Sequence, residues 1–139
     1  MKILITGMLA IIMSAALSLA DPYYHFFEQT TSILGSGGVY MSSVYDVTNY
    51  STVDVNVTAS HDSASNGLKI NFVRTEGDCS DFIPGVSNMD YTANGSGWTY
   101  TAGVNESYSA SVRGNCAWVT YTNSGTNQSS FELTIFGTR

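Results

Sequence analysis

Val53, Val55 and Val57 alternate with Asp54, Asn56 and Thr58, and Leu68, Ile70 and Phe72 alternate with Lys69 and Asn71. A period of two sends successive side chains to opposite faces, so each run reads as a strand with one buried face. Asn66-Gly67 lies between the runs and tolerates positive φ, which is hairpin chemistry, so the two segments are expected to pair antiparallel. The same reading predicts strands over 39–47, 89–93, 98–102, 108–112, 116–122 and 131–136. Turn signals separate them at Gly35–Gly38, Pro84-Gly85, Asn94–Gly97, Gly114-Asn115 and Asn123–Asn127. No apolar stripe at helical spacing interrupts this pattern. About eight short strands so spaced predict an all-β fold, a single antiparallel β-sandwich of jelly-roll or Ig-like type.

Parity also nominates a core: Val53, Val55, Val57, Leu68, Ile70, Phe72, Trp118, Leu133 and Ile135. The segment Pro22–Leu34 carries Tyr23, Tyr24, Phe26 and Phe27. It is expected as an edge strand docked on the sandwich, with a short helix or an arm reaching a neighbouring molecule as the alternatives.

At the N-terminus, Met1-Lys2 precedes an uncharged run from Ile3 to Ala16, and Ser18 and Ala20 place small residues three and one positions before Asp21. This is the pattern of a secretory signal peptide over 1–20, cleaved near Ala20 to leave one domain over 21–139 in a secreted, extracellular or periplasmic location. Ile3–Ala20 barely reaches the ~20 residues of a spanning helix and no basic cluster follows it, so no membrane span is expected in the mature chain. An outer-membrane barrel shares the export signal and the alternation, but its strands need ~9–11 alternating residues and these runs are shorter.

Composition narrows the partners. Charged residues make up 12% of the 139-residue chain, about half the ~25% of an average domain. Without Lys2 the mature chain keeps four basic against eleven acidic side chains, a net charge of −7. The cationic surface that binds nucleic acid or an anionic membrane is therefore missing.

Cys79 and Cys116 are the only thiols, and an even count in an exported chain favours one disulfide. Zinc would require histidine partners, and His25 and His61 are not spaced for it. His61-Asp62-Ser63 holds the residue types of a hydrolase triad, but adjacent residues cannot converge on one point, so a polar loop between strands is expected there. Glu76, Asp78, Asp81 and Asp90 are the candidate ligands for Ca²⁺, the one cofactor to be considered, although their spacing matches no calcium motif and a solvated acidic loop braced by the disulfide explains them. A carboxylate pair for glycoside hydrolysis is conceivable among the same residues and Glu106. Asn-x-Ser/Thr sequons occur at Asn49, Asn56, Asn94, Asn105 and Asn127.

Rings are abundant in the C-terminal half. If Cys116 points inward to its bridge, Trp118 shares its face and packs on the disulfide, while Tyr121 points outward. Trp98 and Tyr100 share a face beside the Asn94–Gly97 turn. Tyr91, Trp98, Tyr100 and Tyr121 are therefore the candidate ligand-binding residues, since exposed rings on a sandwich form a stacking platform. Together these features describe a secreted, non-catalytic module that acts by surface recognition of a glycan or protein, in adhesion or an extracellular structural role, with self-association compatible. A small secreted effector such as a toxin or enzyme inhibitor is the alternative, and a hydrolase ranks third.

Overall fold

The computed structural model describes residues 23–85, 91–104 and 106–139. The proposed signal peptide over 1–20, Asp90 and the sequon at Asn105 lie outside those residues. Nine strands form among the described residues: β1 (Tyr24–Thr30), β2 (Val39–Met41), β3 (Tyr45–Asp46), β4 (Thr52–Ala59), β5 (Ser63–Val73), β6 (Tyr91–Thr92), β7 (Glu106–Ser111), β8 (Cys116–Asn123) and β9 (Phe131–Thr138). They build two antiparallel sheets. One runs in the order β1-β9-β4-β7, and the other in the order β2-β8-β5-β6 with β3 also paired to β8.

The period-two runs supply the inner faces. Val53, Val55 and Val57 of β4 and Leu133 and Ile135 of β9 lie in one buried cluster with Leu68, Ile70 and Phe72 of β5. The hydrophobic effect thus brings the two sheets face to face. At its edge, β1 pairs with β9 in antiparallel register, as expected of the aromatic N-terminal segment.

Four expectations change. The runs over Val53–Val57 and Leu68–Phe72 do not form a hairpin: β4 pairs with β7 and β9, while β5 lies in the other sheet and pairs with β6 and β8. The chain crosses between layers at Ser60–Asp62, so the two apolar faces meet each other across the core. Asn66-Gly67 lies inside β5 as an irregularity in its pairing with β8. Asn66 takes φ 54° there, and a Cβ on Gly67 would approach Thr122 O to 2.5 Å. The positive-φ chemistry is present, but it makes a bulge instead of a turn.

The predicted strand over 39–47 is split into β2 and β3 by Ser42, whose hydroxyl accepts a hydrogen bond from Val119 N. The predicted strand over 98–102 is reduced to one bridge, Leu68 with Trp98. The β5 bulge interrupts the ladder there, and Asn66 N donates to the Thr99 hydroxyl instead of to a backbone carbonyl.

The fourth change concerns β8. Cys116 and Trp118 do share a face, but it is the outer face of their sheet. There they form a second buried cluster with Val73 and Cys79 beneath the half-buried Phe82, whose ring lies 5.2 Å from that of Trp118. The disulfide Cys79–Cys116 holds this loop onto the sheet. Tyr121, of opposite parity, therefore points into the main core and is fully buried.

Candidate functional site

The two lateral edges where the sheets meet are built differently. On one side, β1 of the first sheet faces β2 and β3 of the second, and the gap is closed. The bulge between Phe26 and Glu28 puts Glu28 opposite Ile135, on the inner face. Its carboxylate accepts hydrogen bonds from the Tyr40 hydroxyl at 2.6 Å, from Ser43 N at 3.1 Å and from the Tyr45 hydroxyl. Phe27 stacks on Tyr45 with ring centroids 4.7 Å apart. Burial opposes ionisation of Glu28, but the three donors outweigh it and hold the carboxyl below its ordinary range. Burial and the neighbouring carboxylate raise the pKa of Tyr40 and of Tyr45.

On the other side, β6 of the second sheet and β7 of the first are both terminal strands, and between them lies a cleft of about 260 Å³. Tyr91 and Trp98 line it, with Asn94 and Arg113 at its mouth and Ser109 and Ser111 along β7. Local structure accounts for each placement. Tyr91 pairs with Phe72 in register, so it stands on the inner face of its sheet, but at an edge strand it opens onto solvent and remains 43% exposed. Trp98 is half-buried, fixed by two backbone hydrogen bonds to Leu68, and its ring lies 5.7 Å from that of Tyr108. Asn94 takes φ 57° in the turn that joins the two rings. Arg113 sits on the crossing from β7 to β8, and its guanidinium lies over the Tyr91 ring, 5.6 Å from the centroid.

The four rings nominated from the sequence thus divide. Tyr91 and Trp98 come together in the cleft, whereas Tyr100 and Tyr121 are fully buried and present no surface. Tyr100 ties the sheets, its hydroxyl accepting from Ala59 N at 2.9 Å and donating to Ala59 O at 3.1 Å. The Tyr121 hydroxyl is buried without a hydrogen-bond partner, and burial raises its pKa. Arg113, Asn94, Ser109 and Ser111 were not legible as site residues, because their convergence depends on which strands end the two sheets. The available signal was Arg113 as one of only four basic residues beyond the signal segment.

Glu76, Asp78 and Asp81 are exposed in the loop braced by the disulfide, and among the described residues no three His, Cys, Asp or Glu side chains converge as metal ligands. His61, Asp62 and Ser63 border a second hollow, of about 310 Å³, with Ala102, Ser124 and Thr126. There Ser63 Oγ donates to Ala64 O and accepts from Tyr100 N. The Asp62 carboxylate accepts from Ala102 N at 2.7 Å. These groups brace the chain crossing and are not aligned with one another as a triad. No helix among the described residues is long and apolar enough to cross a membrane. In comparison with known proteins, no family model matches the chain and no curated protein matches it.

Proposed function

We propose that the protein is an exported, non-catalytic jelly-roll module that binds a carbohydrate in the cleft between β6 and β7. The strand order supports the fold. With β2 and β3 counted as one interrupted strand, eight strands in the orders 1-8-3-6 and 2-7-4-5 form two nested Greek keys. Such a frame hosts many functions, so the site must carry the argument.

The observation that carries it is the convergence of two accessible rings, Tyr91 and Trp98, with Asn94 and Arg113 in one open hollow. A sugar ring presents apolar C–H faces that stack on aromatic rings and hydroxyls that pair with Ser, Asn and Arg. At about 260 Å³ the hollow is smaller than the ~300–1,000 Å³ of drug-sized sites, a size suited to one or two sugar units at an open edge. Among the described residues its lining is made of rings, an amide, hydroxyl side chains, alanines and one guanidinium, groups suited to recognition. The disulfide is compatible with export to an oxidising compartment.

A glycan array probed with the purified protein tests this. At least one oligosaccharide class is expected to bind, and Tyr91→Ala and Trp98→Ala are each expected to weaken it tenfold or more. Retention of full binding by both variants would remove the cleft from the account. Tyr91 packs at the surface, so its variant keeps the test clear of unfolding if Trp98→Ala is unstable.

A further inference from the structure

Arg113 distinguishes the cleft chemically. Among the described residues lining it none is acidic, although the chain carries eleven acids. Among the described residues Arg113 has no ion pair, and its guanidinium rests over the face of Tyr91. A guanidinium stacked on a ring is satisfied over its face, while its N–H donors point outward in the plane. Those donors form a fork that matches the two oxygens of a carboxylate or sulfate. Asn94 adds an amide to the same lining.

We propose that the bound sugar carries an anionic group, a carboxylate or a sulfate ester, held by the Arg113 guanidinium while the sugar ring stacks on Tyr91 or Trp98. This rests on the carbohydrate reading above. The net negative charge of the protein does not oppose it: distant carboxylates are screened over ~8 Å at physiological ionic strength, and the contact with Arg113 is not. An uncharged sugar offers the guanidinium fork only single hydroxyl acceptors. An anionic one supplies two charged oxygens that match the fork in a bidentate pair, which adds both energy and geometric specificity.

The test is a set of titrations followed by isothermal calorimetry. The probes are tetragalacturonate, its methyl ester and a κ-carrageenan tetrasaccharide, which carries sulfate esters and no carboxylate, each against the wild-type protein, Arg113→Gln, Arg113→Lys and Trp98→Ala. At least one anionic probe is expected to bind roughly tenfold or more tightly than the ester, and which one separates carboxylate from sulfate. Arg113→Gln should abolish that preference, bringing the affinity for the anionic probe down to that for the ester, and Arg113→Lys should restore it in part. An ester that binds as tightly as the acids, in a manner dependent on Trp98, would overturn the anionic proposal and leave the carbohydrate reading standing. Absence of binding to all three probes, with a silent glycan array, would overturn both.

Discussion

Glu28 shows how a single residue ties two sheets together. Its carboxyl lies below the ordinary range in the folded state. A depressed pKa means that the folded protein binds this proton less well than the unfolded chain. The stability it contributes is therefore present above the unfolded value, near 4.5, and is lost as pH falls through the lower folded value. Denaturant midpoints measured from pH 7 to pH 3 should fall less steeply for Glu28→Gln than for the wild type, and parallel curves would contradict the assignment. In the core, Phe72→Ala removes a fully buried ring and should cost about 3–5 kcal/mol, whereas Lys69→Ala, on the exposed face of the same strand, should change stability by less than about 0.5 kcal/mol. Equal effects from the two would mean that β5 is in a different register. Positions such as Val53 and Ile70 were legible because alternation reports burial directly. Tyr121 was misread because parity gives only relative faces: its anchor, Cys116, proved to bond on the outer side of its sheet.

Among the elements, the chain crossings carry polar hubs that no periodicity announces. Gln128, almost fully buried, accepts from Ser60 Oγ and His61 N and donates to His61 O and Asn123 Oδ1. Asn123 in turn donates to the carbonyls of Gly35 and Thr126, each at 2.7 Å. Asn123→Leu would strand several buried groups, each worth about 1–3 kcal/mol when left unpaired, so a loss of about 3 kcal/mol or more is expected in equilibrium unfolding. Nothing in the spacing of Asn66-Gly67 distinguished a hairpin from a bulge, because both conformations demand positive φ and differ only in which sheet receives the next strand. The disulfide was legible from the cysteine count. Closing 38 residues, counted from Cys79 to Cys116, it should contribute about 4 kcal/mol in the chain-entropy model. Non-reducing mass spectrometry should show a bridged protein, and reduction should lower the denaturation midpoint accordingly.

For the whole molecule, the all-β architecture and the aromatic character of the site were visible in the sequence, while the place where the site forms was not. The cleft exists because β6 and β7 end their respective sheets on the same side and because the crossing after β7 delivers Arg113 to Tyr91. Both are long-range facts of topology. The other lateral edge is closed by Glu28 and its tyrosines. This asymmetry leaves one open edge, where the proposed site lies. An amide chemical-shift map, recorded while titrating the tightest glycan from the array, tests that claim most directly. Shifts are predicted to concentrate at Tyr91, Asn94, Trp98 and Ser109–Arg113, and to include the indole N–H of Trp98 but not that of the buried Trp118. A map centred on His61–Ser63 and Ser124–Thr126, or on the exposed rings of Tyr24 and Phe26, would contradict it.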